Sequence, residues 1–237
     1  MAPQDGSVEW REFAEQMALL ARDLLSQPSV QATLDKIVEA AVELVDGCDE
    51  AGILAVRKGR AVTAAAQGAT VRDCDRLQGE LGEGPCFDLA RNGGDERVYR
   101  IADLTRPQST WERFAVEARR LGMGSMTGVL LYTDQEDFGA LNLYAHEPGA
   151  FGKDIETAGW LLASHAAVAL SSSRTIDQLQ HGMDSRHAIG EAMGILMERH
   201  RLTEEDAFSV LRRISQQHNI KLRDVAQRVR ADRPEPD

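Results

Sequence analysis

SRHAIGEAMGILMERHRLTEEDAFSVLRRISQQHNIKLRDVAQRV, residues 185–229, carries the helical period three times over. The first segment continues an upstream helix to about His200. Thr203 then stands before Glu204, Glu205 and Asp206, and Thr-x-x-Asp is a capping pattern that opens a new helix with acids in its first turn. In that helix Ala207, Val210, Leu211 and Ile214 follow the i, i+3, i+4, i+7 rule as far as His218-Asn219. A third helix repeats the rule with Leu222, Val225, Ala226 and Val229. Three helices joined by short turns predict a small bundle with its own core over residues 184–230, and residues 231–237 read as a disordered tail.

Upstream, residues 154–183 are also helical in pattern. Leu162, Ala169, Ile176 and Met183 recur every seven residues, with Leu179 adding to the stripe. Two readings follow: a helix packed back on its own domain, or a connector that pairs with a second copy; the connector, placed at 171–183, is favoured. Before it the period changes from helix to strand. AGILAV, AVTAAA, RVYRIA, SMTGVLLY and FGALNLYA are short strand-compatible runs bounded by glycine, aspartate or charged turns. Two helices precede them, one with Trp10, Phe13, Met17, Leu20 and Leu24 on its seam and one capped by Ser29. The expected fold is α+β: an antiparallel sheet with flanking helices over residues 15–170, with residues 1–14 as the start of the first helix.

The 237 residues carry a net charge of -11, which argues against a nucleic-acid partner on average. The distribution qualifies that average. From Arg186 onward there are ten basic and nine acidic residues, leaving seventeen basic and twenty-nine acidic before it. Residues 186–230 alone hold nine basic and six acidic residues, a net of +3, which permits phosphate contacts without demanding them. The opening MAPQDGSVEW has no apolar leader core, and no run is apolar enough for a membrane span, so the expectation is a cytoplasmic protein. Cys48, Cys74 and Cys86 form neither a CxxC pair nor an even set, against a disulfide framework or a cysteine zinc site.

Chemistry concentrates in two places. Arg212, Arg213, Lys221, Arg223, Arg228 and Arg230 lie around the last two helices with Ser215, Gln216 and Asn219 among them. Guanidinium forks suit phosphates and the polar side chains suit base edges, although a solvated helix face has the same composition. Gly190 and Gly194 each cost about 1 kcal/mol against alanine inside a helix, so a close neighbour is expected there, either a helix backbone or a nucleotide. In the middle domain GELGEGPCFDLARNGG runs glycines into Pro85 at a helix start, where free amides could hold an anion and Cys86 could be a low-pKa thiol or, more simply, a buried apolar one. No HExxH, GxSxG, phosphate loop or spaced histidine pair occurs, so neither a catalytic nor a metal site is expected, and the sequence requires no cofactor.

Residues 184–230 resemble an ANTAR domain, through Ser185, Arg186, Ile189, Ala192, Gly194, Ile195, Leu196 and Met197, then Ala207, Leu211, Arg212 and Ser215, then Asn219, Leu222, Val225 and Ala226. The resemblance implies an output module of transcription antitermination regulators in which dimeric copies recognise paired RNA stem-loops. It makes Arg186, Arg212, Arg213, Ser215, Asn219, Lys221 and Arg223 the RNA-surface candidates, while Met193 departs from a pattern that has lysine in many members. Residues 15–170 are similar to a GAF domain, through LGEGPCFDLA, SMTGVLLY and FGALNLYAHEPGAF. That implies a sensory fold that holds a small ligand, binds a protein partner or serves as a dimer scaffold, with Cys86, Trp111 and Tyr144 as ligand candidates and His146 as a weak pointer to haem. The order of the two domains resembles actinobacterial regulators. The expected function is a homodimeric, signal-responsive RNA-binding regulator of termination; a DNA-binding transcription factor and a signalling scaffold without nucleic acid are the rivals.

Overall fold

The computed structural model describes residues 5–57, 60–92, 97–108, 110–133, 137–152 and 154–231. The expected tail therefore lies outside the described residues apart from Ala231. The chain divides into two compact units, Met1–Arg174 and Thr175–Asp237.

The first unit opens with α1 (Asp5–Ser26) and α2 (Val30–Leu44). Pro28 separates them, and Ser29 caps the second by accepting from the Ala32 amide at 3.1 Å. Five strands follow, β1 (Glu50–Arg57), β2 (Arg60–Ala66), β3 (Val98–Ile101), β4 (Ser125–Tyr132) and β5 (Asp137–Ala145), and all four pairings are antiparallel in the order β2-β1-β5-β4-β3. Between them lie α3 (Ala69–Leu81), α4 (Pro85–Asn92) and α5 (Glu112–Arg120). This is the α+β architecture the alternating apolar runs predict.

Strand alternation sorts the interior into two cores. Ile53, Val129, Leu131, Leu141 and Leu143 face α1, α2 and the start of the long helix α6 (Ile155–His200). Leu54, Met126, Leu130, Ala140 and Tyr144 face α3, α4 and α5. Because both faces are covered, β1 and β4 read as nearly unbroken apolar runs, and each fully buried leucine or isoleucine contributes roughly 1.5–3 kcal/mol. Gly128 of β4 lets α4 come close: a Cβ there would stand 2.7 Å from the Cys86 sulfur.

The seven-residue stripe on α6 divides. Leu162 and Ala169 are buried in the first core, as the reading of a helix packed on its own domain has it. Ile176, Leu179 and Met183 are 50%, 63% and 67% exposed. The heptad spacing could not tell one role from the other, because both put apolar groups on a helix at the same interval.

In the second unit the C-terminal part of α6 joins α7 (Glu204–His218) and α8 (Leu222–Ala231). Ala188, Ala192, Leu196, Ala207, Leu211, Val225 and Ala226 form its core, with Val210, Ile214, Leu222 and Val229 packed around them. Small residues at the centre let three short helices approach closely. Met193 is one of the side chains packed against this core.

Candidate nucleic-acid interface

The surface of the second unit is built by its two turns. Thr203 accepts from the Asp206 amide at 3.2 Å, and its hydroxyl donates to Asp206 Oδ2 at 2.7 Å, so the start of α7 is closed in both directions. At the other end Asn219 takes a left-handed conformation, with φ 51° and ψ 41°. The Ile220 amide returns to the Ser215 carbonyl at 3.1 Å, satisfying a carbonyl at the end of the helix. Ser215 Oγ donates to the Ile220 carbonyl at 2.6 Å, and the Lys221 carbonyl accepts from Asp224 and Val225 to begin α8. Ser215 and Asn219 thus hold the turn that carries Lys221 and Arg223.

The cations differ in their freedom. Arg223 lies 3.3 Å from Asp224, and Arg230 pairs with Glu191 at 2.5 Å, joining α8 to α6. Arg186, Arg201, Arg212, Arg213, Lys221 and Arg228 are exposed and make no ion pair among the described residues. In the first unit Arg76, Arg106 and Arg120 each have a carboxylate partner, whereas Arg11, Arg22, Arg57, Arg60 and Arg113 have no ion pair among the described residues, so it is the density of free cations on so small a unit that sets the second one apart. Six unneutralised cations on a small helical unit suit a polyanion, since phosphate contacts dominate nucleic-acid affinity.

Gly190 and Gly194 are exposed, and a Cβ at either would meet nothing within 4 Å. The expectation that a neighbouring helix backbone presses on them within this chain is therefore corrected: both glycines fall on the solvent face of α6, opposite Ala188, Ala192 and Leu196.

The glycine-rich motif of the first unit serves its own helix ends. The Cys86 and Phe87 amides, at the start of α4, donate to Gln78 Oε1 at 3.0 and 3.2 Å. The Arg113 and Phe114 amides, at the start of α5, donate to Glu83 Oε1 at 2.8 and 3.2 Å. An anion held by free amides at Pro85 is thus corrected, because a side chain already fills that place. The reactive reading of Cys86 is corrected too: the thiol is fully buried, and burial pushes it well above its ordinary range.

Cys86, Trp111 and Tyr144 are brought together against the same core. Trp111 stands edge-on to Tyr99 with ring centroids 5.1 Å apart and donates through Nε1 to Asp88 at 2.7 Å. The Tyr144 hydroxyl is buried without a partner, and burial raises its pKa strongly. His146 does not fit a haem ligand. Its ring is half exposed, 3.4 Å from the Gly122 carbonyl and 3.7 Å from Glu50, outside both cores.

Sequence reasoning missed Asp75 altogether. Its side chain is 1% exposed, accepting from Thr63 Oγ1 at 2.9 Å and Asn142 Nδ2 at 2.8 Å. Burial raises the carboxyl from 3.8 to about 7, while the two hydrogen bonds pull the other way. A cleft of about 340 Å³, lined by Arg60, Thr63, Arg76 and Glu80 among others, opens on it. The signal was available: Val71, Cys74, Asp75 and Gln78 share the i, i+3, i+4, i+7 face of α3, and an acid on an apolar stripe marks a buried charge.

The chain thus combines an α+β domain with a two-faced core and a helical module with exposed cations. A GAF domain model matches residues 27–171, and an ANTAR domain model matches residues 177–229. The chain belongs to the GAF domain family and carries an ANTAR domain after it. GAF domains are signalling domains and ANTAR domains are RNA-binding antiterminator modules, so both parts are regulatory in kind.

Solved structures agree on the fold. A domain of a two-component sensor histidine kinase protein from Sinorhizobium meliloti 1021 is 16% identical, with 62% of this chain and 94% of that one covered and a TM-score of 0.50. The GAF domain of an Acinetobacter phosphoenolpyruvate-protein phosphotransferase is 14% identical, with 69% and 95% covered and a TM-score of 0.50. The chromophore-binding domain of a bacteriophytochrome from R. palustris is 11% identical, with 70% and 63% covered and a TM-score of 0.52; this chain spans less than two thirds of it. No curated protein matches the chain. Among the described residues no helix is long and apolar enough to cross a membrane.

Proposed function

We propose that this chain binds paired RNA stem-loops as a dimer and thereby controls transcription termination in the cytoplasm, in response to a signal received by its GAF domain. The carrying observation is the set of exposed, unpaired cations on the ANTAR unit, to which Arg186, Arg212, Arg213 and Lys221 belong. Arg223 extends this surface, and Ser215 and Asn219 shape it. The exposed Ile176, Leu179 and Met183 support the dimer, since a second copy of the connector, residues 171–183, would cover them. Leu19, Leu25, Trp160 and Val168 are exposed apolar groups of the first unit that suit the same role.

One helix, α6, belongs to both units, and this supports coupling between them. A small molecule or protein partner shifts the output only by binding two states with different affinity. The core that Cys86, Trp111 and Tyr144 share is the place for a small ligand.

The test is a salt-controlled competition between a two-hairpin RNA and duplex DNA for the full-length chain. RNA should win, and reversing Arg212, Lys221 and Arg223 to glutamate should abolish binding. Removing one cation that neutralises a phosphate lowers the salt slope by about 0.7–0.9. Preference for duplex DNA would favour a transcription factor; binding untouched by the reversals would favour a scaffold.

A further inference from the structure

A groove of about 430 Å³ runs along one face of α7, where neither the sequence pattern nor the distribution of charge suggests a pocket. Leu202 and Val210 give it a half-buried apolar floor. Asp206 stands at one end, Ser209 in the middle, and Arg213 and Gln216 at the other, with Arg212 also lining it. The Ser209 hydroxyl, the Gln216 amide and both guanidiniums have no side-chain partner among the described residues. Asp206 spends Oδ2 on the Thr203 hydroxyl, and Oδ1 remains open.

We infer that this groove holds one unpaired nucleotide of an RNA hairpin loop, with a base that carries an exocyclic amino group. The inference rests on the RNA-binding reading above and gives that surface a base-specific subsite. The reasoning starts from dimensions. At 1.5 Å rise per residue, Asp206 and Arg213 are about 10 Å apart along the helix, which spans a nucleotide from base edge to phosphate.

Sequence-specific RNA recognition reads bases splayed from loops, laying their faces on flat or apolar side chains and bonding their edges. Here the base lies over Leu202 and Val210, its phosphate meets the guanidiniums of Arg213 and Arg212, and Ser209 and Gln216 bond along the edge and sugar. An ionised carboxylate accepts hydrogen bonds and donates none. Asp206 therefore receives an amino N–H, from N6 of adenine, N4 of cytosine or N2 of guanine, whereas uracil has no amino group and offers only N3–H between two carbonyls that the carboxylate repels. Like charge also keeps the phosphate at the arginine end, so the nucleotide has one orientation.

The experiment uses the full-length chain and a pool of two-hairpin RNAs with randomised loops, selected at fixed salt and sequenced. Wild-type protein should deplete uridine at one loop position, and uridine there should weaken binding about tenfold. Asp206→Asn keeps an acceptor for Thr203 but can donate to a uracil carbonyl, so uridine should return at that position alone. Gln216→Ala, at an exposed side chain, should lower hairpin affinity several-fold with helicity unchanged by circular dichroism. Arg213→Ala should weaken all loops equally and flatten the salt dependence. If wild type binds hairpins but Asp206→Asn selects the same loops and Gln216→Ala binds as wild type, the subsite is refuted while RNA binding stands. If wild type enriches no hairpin, both are refuted.

Discussion

Replacing Asp75 by asparagine should make the GAF domain more stable at pH 8 than the natural sequence is, relative to pH 5. The folded carboxyl titrates at about 7, against 3.8 when solvated. Because the folded value is the higher one, the native domain takes up a proton on folding between those limits, and stability falls as pH rises through that window. The contribution is fully present below 3.8 and fully lost above about 7. From pH 5 to pH 7 the fall amounts to roughly 2 kcal/mol, since the full 1.36 kcal/mol per unit is halved as the folded carboxyl reaches half-titration, with a few tenths more to pH 8.

Asparagine has the same shape and no charge to desolvate; its oxygen can accept from Asn142 Nδ2 as Oδ1 does, and its amide, in the place of Oδ2, can donate to Thr63 Oγ1. The neighbouring thiols do not confuse the comparison, since burial raises Cys74 to about 12 and Cys86 well above its ordinary range. Trp10, Trp111 and Trp160 all precede residue 175, so tryptophan fluorescence during urea unfolding reports the first unit only. The difference in stability between variant and wild type should shift toward the variant by about 2.5 kcal/mol between pH 5 and pH 8. A difference that stays flat across that range would refute the buried, ionising carboxylate.

Three further outcomes follow from named residues. Gly128→Ala places a methyl 2.7 Å from the Cys86 sulfur, so α4 must shift; the same urea transition should weaken by about 1–3 kcal/mol. Asn219→Val forces a β-branched residue into a left-handed turn and should cost the ANTAR unit about 1–2 kcal/mol by thermal circular dichroism, whereas Asn219→Gly should be nearly neutral. Changing Leu179 and Met183 together to serine should shift sedimentation from dimer toward monomer with little loss of helicity, because these side chains are 63% and 67% exposed within the chain.

Much of this fold is legible in the sequence because it depends on local period. Thr203 marks the start of α7, Asn219 its end, and AGILAV or SMTGVLLY a strand covered on both faces. What period cannot convey is which partner covers an apolar stripe, so Leu162 and Met183 look alike although one is buried and the other is not. Nor does it show side chains that reach across turns. Gln78 and Glu83 read as ordinary polar residues, yet each satisfies two amides at the start of another helix. The basic surface is legible as composition; its freedom from carboxylates became visible only with Arg230 placed on Glu191 and Arg212 placed on nothing. The groove along α7 is absent from any motif because its floor is one residue before the helix and one within it.

The glycines of α6 have a consequence for how that helix moves. Gly182, Gly190 and Gly194 leave open space where a side chain would stand, and alanine at each would strengthen the helix by about 1 kcal/mol. On the opposite side Ala188, Ala192 and Leu196 are locked into the module's core. The segment therefore has a soft flank and a firm one. In deuterium, amides along the glycine flank should exchange early, through brief openings that leave the packed flank closed, so the helix can breathe at its surface without the module unfolding.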